Sequence, residues 1–187
     1  MNSKHRLHYI RYEDMGKDQG KIKHLFEHAF PIEERPSFAN HIKSSRQEFY
    51  GVYYQNKFAA LVDLIIYKDV VYLYFLAVKK SFRKKGIASQ IIEDIFAKYN
   101  QDYRIYLLME EVDPSYANYE ERVARSNFYT KRGFNISPIK INEFEVIYSL
   151  LNNCKEVTFL DHMNLFKYFL EETGFYPVYK KNCYEVK

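Results

Sequence analysis

Tryptophan is absent from this 187-residue chain, and cysteine, proline and glycine are scarce at 2, 5 and 6 residues. Two thiols, Cys154 and Cys183, lie far apart and outside any metal-ligand spacing, which fits a reducing compartment better than a disulfide scaffold. No apolar run approaches the roughly 18 residues of a membrane span, and the first residues, MNSKHRLHYIRYEDM, lack the apolar stretch of a secretory leader. The chain is therefore expected to be soluble and cytoplasmic, with no membrane partner. There is no internal repeat and no low-complexity linker. Charge of one sign is also lacking: 28 Lys and Arg face 24 Asp and Glu, a net +4 that suits an anionic ligand without requiring a polymer.

What is present is a core. Hydrophobic residues make up 47% of the chain, with 19 Tyr and 15 Phe, and the length matches one domain with a sizeable interior. We read these aromatics as core and pocket lining, not as a stacking platform, so no nucleic-acid partner is expected.

Periodicity gives the element order. Residues 7–12 suit a short strand, and Asp18 precedes a helix to about Phe30 with Ile22, Leu25, Phe26, Ala29 and Phe30 on one face. Pro31 and Pro36 punctuate a loop, followed by a short polar helix through Ser44. Residues 49–54, 57–67 and 70–78 read as strands joined by the tight turns Gln55-Asn56 and Lys68-Asp69. A helix carrying Ile91, Ile92, Ile95, Phe96 and Tyr99 follows, then an almost wholly apolar strand at 103–109. Strand, helix and strand from Val70 to Met109 form a crossover, which makes its two strands parallel. A helix over 119–132 stops at Gly133, two short strands near 134–137 and 144–150 close a hairpin, and a last helix spans about 161–172. The fold class is α/β (α+β): a mixed, mostly antiparallel sheet with one parallel β-α-β crossover and helices on both faces. The tail VYKKNCYEVK reads as a surface-covering segment.

The most informative stretch joins the first parallel strand to its helix. The strand ends Leu76-Ala77-Val78, and Arg83-Lys84-Lys85-Gly86-Ile87-Ala88 then opens the helix. Helix-start N–H groups lack intrahelical partners and carry partial positive charge, so a cationic glycine turn there is a seat for a pyrophosphate. Alone, the same lysines could be a solvated turn.

With the motif so placed, the chain resembles the GNAT superfamily of N-acetyltransferases, whose signature R/Q-x-x-G-x-G/A follows a strand ending in -AV. A second family element, a helix ending Y-x-x-x-G-F, is matched by Tyr129-Thr130-Lys131-Arg132-Gly133-Phe134. The resemblance covers roughly residues 7–150, taken as the acetyltransferase domain, with 151–187 as a C-terminal helical extension packed on it. Two positions depart: Arg122 stands where many relatives carry a cofactor-holding asparagine, and Arg125 replaces an alanine. The resemblance implies acetyl-CoA as cofactor. Its pyrophosphate would lie on the backbone of Arg83, Lys84, Lys85, Gly86, Ile87, Ala88 and Ser89, and its pantetheine arm along Leu76, Ala77 and Val78. It implies Tyr129 as proton donor to the departing thiolate.

Direct attack of an amine on the thioester needs a neutral amine, and alkylamines ionise near pH ~10, so a base or a pre-tuned substrate is required. Glu110, at the end of the second parallel strand, is the favoured base, ahead of Glu34; Glu33, Glu111 and Asp63 are further carboxylates on offer. His24 and His28 have the spacing of a metal pair, yet both point away from the apolar face of their helix, and no metal site is expected. The acceptor is a small-molecule or protein amine. A catalytically weak acyl-CoA-binding member of the same fold is the alternative. The extension could cover the sheet, line the acceptor site or form a homodimer contact.

Overall fold

A computed structural model describes residues 6–99, 102–153 and 155–186. Cys154 and the side chain of Glu33 lie outside the described residues. The sheet contains β1 (His8–Arg11), β2 (Glu48–Tyr54), β3 (Lys57–Tyr67), β4 (Val70–Val78), β5 (Arg104–Glu110), β6 (Asn135–Glu143), β7 (Val146–Asn152) and β8 (Cys183–Val186). Their order is β1-β2-β3-β4-β5-β7-β6-β8. The recorded ladders are antiparallel except β4 with β5, which is the parallel pair expected from the crossover. The chain clusters into two compact units, Met1–Leu64 with Tyr74–Asn100, and Ile65–Leu73 with Gln101–Lys187.

In the first unit, helix α1 (Gln19–Ala29) buries Ile22 and Phe26 from the apolar stripe read in the sequence. They join Phe38, Phe49, Phe58, Leu61 and Phe75 in one cluster. Full burial of each such side chain is worth about 1.5–3 kcal/mol. The turn at Gln55 and Asn56 has both residues at positive φ, 50° and 59°, the two-residue geometry that matches strand twist. The polar helix expected through Ser44 is shorter than its pattern: α2 is only Phe38–His41, capped by the Ser37 side chain. Helix α3 (Ile87–Tyr99) buries Ile87, Ile91, Ile92, Ile95 and Tyr99.

In the second unit, β7 lies between β5 and β6, and the β6–β7 register shifts between Ile136 and Lys140, a span that contains Pro138. A proline cannot donate to a ladder, so a break in register there is expected. Strand β6 runs longer than the sequence pattern suggested. Helix α4 (Tyr119–Thr130) carries Glu120 and Glu121 in its first turn, where the helix dipole favours them. Gly133 follows at φ 92°. Helix α5 (Phe159–Glu171) opens with a capping box in which Thr158 and Asp161 exchange side-chain and backbone bonds.

The tail is more ordered than a surface-covering segment. Residues Tyr176–Asn182 form α6, and β8 then pairs antiparallel with β6. Its polar pattern hid two inward positions, Tyr179 and Cys183, both buried.

Candidate functional site

Strand β4 ends at Val78, and the Lys79 amide donates to the Ala59 carbonyl at 2.8 Å, which fixes the chain as it leaves the sheet. A short 3-10 turn, Lys80–Phe82, follows. Arg83 turns back, its Nε donating to the Val78 carbonyl at 3.3 Å, so the loop is tied to the strand it follows. Lys84 and Gly86 both take positive φ, 61° and 79°. A Cβ on Gly86 would meet nothing within 4 Å, so glycine is needed there for the backbone angle and not for space. The Gln90 amide bonds the Gly86 carbonyl at 3.0 Å, so Ile87 and Ala88 have amides ahead of the helical ladder. Residues Arg83 to Gly86 are exposed. Lys80, Lys84 and Lys85 enter no ion pair among the described residues. The result is an exposed, cationic helix N-terminus.

The parallel ladder pairs Val70, Val71 and Tyr72 with Arg104, Ile105 and Tyr106. Strand β4 continues to Val78 past the last of these pairs, so Leu76, Ala77 and Val78 lie outside that ladder.

In the second unit, Tyr129 lies near the end of α4, edge-on to Phe128 at 5.1 Å and to Phe134 at 5.8 Å. Burial pushes its phenol up to about 12, with the Arg125 charge acting the other way. The hydroxyl is thus protonated at neutral pH, and it has no hydrogen-bond partner among the described residues.

Glu110 ends β5, only 3% exposed. Its Oε1 lies 3.0 Å from the Arg122 guanidinium, and its Oε2 accepts from Arg125. Arg122 also donates to the Glu111 carbonyl at 2.8 Å and to Asn118 Oδ1 at 2.7 Å, and packs 3.8 Å above the Tyr116 ring. The two residues that depart from the family pattern therefore share one buried carboxylate. That pairing was not readable from the sequence, where Glu110 and Arg122 are separated by a loop.

The remaining carboxylates are placed as follows. Glu111 pairs with Lys140. Glu34 ends a short 3-10 turn. Asp63 is fully buried, and its Oδ2 lies 2.9 Å from His41 Nε2 without hydrogen-bond geometry. Burial pushes the Asp63 carboxyl up against the opposing pull of the imidazole. His41 stacks on Phe26 at 4.7 Å. Sequence reading passed over it, because a histidine in a short polar helix gives no sign of burial. His24 and His28 are exposed, with rings 4.0 Å apart.

The model of the GNAT acetyltransferase domain matches residues 45–136, a span that includes the turn, the crossover and the Tyr129 helix. The chain carries a GNAT domain. A structure from Bacteroides thetaiotaomicron described as a GNAT-family acetyltransferase superposes with a TM-score of 0.69 at 16% identity, over 93% of this chain and 98% of that one. The aminoglycoside 6'-N-acetyltransferase from Enterococcus faecium gives 0.59 at 14% identity, over 82% and 99%. Arabidopsis thaliana Naa50, solved with the bisubstrate analogue CoA-Ac-MVNAL, gives 0.55 at 21% identity, over 81% and 99%. At these identities the likeness establishes the GNAT fold. No curated protein matches the chain in sequence. Among the described residues no helix is long and apolar enough to cross a membrane.

Proposed function

We propose that this GNAT domain transfers an acetyl group from acetyl-CoA to a primary amine by direct attack, with residues 1–150 as the catalytic part. The observation that carries the reading is the exposed Arg83–Gly86 turn, whose positive-φ residues open α3 and whose lysines enter no ion pair among the described residues. Such a helix start receives phosphate oxygens on its amides, and the lysine charges add to the attraction. The amides of Arg83 to Ser89 take the pyrophosphate, and the backbone of Leu76 to Val78 takes the amides of the pantetheine arm. A relative of the same fold was solved with a CoA-containing analogue.

Tyr129 donates a hydrogen bond to the departing thiolate, whose proton comes from the ammonium formed when the amine attacks the thioester carbonyl. The raised pKa of Tyr129 keeps its hydroxyl proton available at neutral pH, and a thiolate of ordinary basicity near ~8.5 then needs only a hydrogen bond from it. Glu110 fits a positioning role better than that of the base it was expected to be. Both of its oxygens are engaged by guanidinium groups, and this pairing locks the start of α4 to the end of β5. The base role passes to water or to the acceptor's own ionisation.

The same observation favours the second reading, an acyl-CoA-binding member with weak catalysis. Isothermal titration with acetyl-CoA tests the shared premise: Lys84→Glu with Lys85→Glu weakens binding at least tenfold, and unchanged affinity contradicts the proposed seat. Thiol release with polyamines, aminoglycosides and amino-terminal peptides separates the two readings. Turnover supports the enzyme; tight CoA binding without turnover on any amine supports the weak member.

A further inference from the structure

A buried cluster in the second unit lies outside the residues assigned above to acetyl transfer. Glu143, at the end of β6, and Cys183, at the start of β8, are directly opposite each other in the antiparallel register. Residues so paired point their side chains to the same face. His162 reaches that face from α5, and its Nε2 lies 3.0 Å from Glu143 Oε1 and 2.7 Å from the Tyr179 hydroxyl. The other ring nitrogen, Nδ1, is 2.9 Å from the Tyr106 hydroxyl. Tyr179 also donates to Glu143. His162 is fully buried, and Cys183 and Tyr179 nearly so.

We infer that Glu143, His162 and Cys183 form a binding site for one zinc-type divalent cation, which fastens the C-terminal segment to β6. Three considerations support this. The donor atoms of the three residues lie within 4.8 Å of one another, and they combine carboxylate, imidazole and thiol, the ligand set of zinc. A tetrahedral site with bonds of about 2.0–2.3 Å separates its ligands by roughly 3.3–3.6 Å. The His162–Glu143 pair must therefore open by only a few tenths of an ångström, and the thiol must approach by at most about one ångström.

Charge is the second consideration. Glu143 meets no Lys or Arg among the described residues, and its negative field falls on three protic groups, Tyr106, Tyr179 and Cys183. A divalent cation set among these groups favours the thiolate form of Cys183, which then binds it as an anion. Binding displaces the Cys183 thiol proton, and any proton on His162 Nε2, to solvent, so affinity rises with pH. The third consideration is orientation. The Tyr106 hydroxyl holds His162 Nδ1, the outer contact that aims a ligating imidazole. Tyr179 stands ready as a fourth ligand or as a hydrogen-bond partner to one.

The test uses the full-length protein stripped with EDTA and titrated with Co(II) as the probe. The expected result is a thiolate-to-cobalt charge-transfer band that saturates at one equivalent, is bleached by Zn(II), and is absent in Cys183→Ser. Zinc should raise the melting temperature of the wild type and leave that of Cys183→Ser unchanged. Absence of the band in the wild type, or its persistence in Cys183→Ser, overturns the proposal in favour of a metal-free hydrogen-bond network. If Cys183→Ser does not fold, Cys154→Ser carries the test: the band must persist there, and its loss would move the metal to Cys154.

Discussion

Replacing Arg122 by methionine keeps an unbranched four-atom stem and removes the guanidinium. The arginine is 9% exposed at its side chain and Glu110 is 3% exposed, so the Glu110 carboxylate would lose its most buried cation. Two hydrogen bonds would go as well, one to the Glu111 carbonyl and one to Asn118. Breaking a buried pair by removing one partner costs about 3–5 kcal/mol. Arg125 stays in contact with Glu110 but is 41% exposed, so solvent screens its attraction and it offsets only part of the loss. We expect a destabilisation of about 2–4 kcal/mol. Urea unfolding followed by circular dichroism would read this as a lower midpoint with an unchanged slope. The cycle with Glu110→Gln tests the cause. If the carboxylate is what Arg122 satisfies, the double variant is more stable than the sum of the two singles implies, by about 1–3 kcal/mol. A loss under about 0.5 kcal/mol for Arg122→Met, or strict additivity in the cycle, refutes the reasoning.

Arg104 pairs with both Asp69 and Asp161, at 2.7 and 2.8 Å. Its hydrogen bonds hold the Asp69 carboxyl below the ordinary carboxylate range; at Asp161 burial opposes, and the bonds from Arg104 and Thr158 prevail. Folded-state values below the unfolded ones give stability that is complete above about pH 4 and is lost as pH falls through the lowered values. Arg104→Gln should therefore flatten the acid limb of a urea-midpoint profile, and an unchanged limb counts against the pairing. Thr158→Ala removes the hydroxyl half of the α5 capping box and should cost about 1 kcal/mol in the same assay. Gly86→Ala should cost about 1–2 kcal/mol from its φ of 79°, since nothing crowds the added methyl; no loss would mean that the turn relaxes.

The strands and helices that flank the Arg83–Gly86 turn were legible because local pattern decides them. The run Val70–Val78 is apolar enough for a buried strand, and the apolar spacing of Ile87–Tyr99 suits only a helix. The turn at Gln55-Asn56 was equally plain from its residue types. Contacts between distant segments were not legible. Glu110 reads as a free carboxylate at a strand end until the fold brings Arg122 and Arg125 onto it. The tail misled for a related reason: VYKKNCYEVK looks like surface, and only the pairing of Glu143 with Cys183 explains why Cys183 is buried. His162 and Tyr179 meet across seventeen positions of sequence, a separation with no motif to announce it. Propensity and period describe neighbours along the chain, whereas burial of a polar group depends on partners that the sheet order supplies.

Acetyl-CoA consumption with the amine panel, measured as free thiol for the wild type and for Tyr129→Phe, tests the central claim most directly. The account predicts amine-dependent release that falls by about 10²–10⁴-fold in the variant, while its affinity for CoA is unchanged. Equal rates in the two proteins would remove Tyr129 from the chemistry, and a wild type that neither binds acetyl-CoA nor releases thiol would contradict the assignment of function.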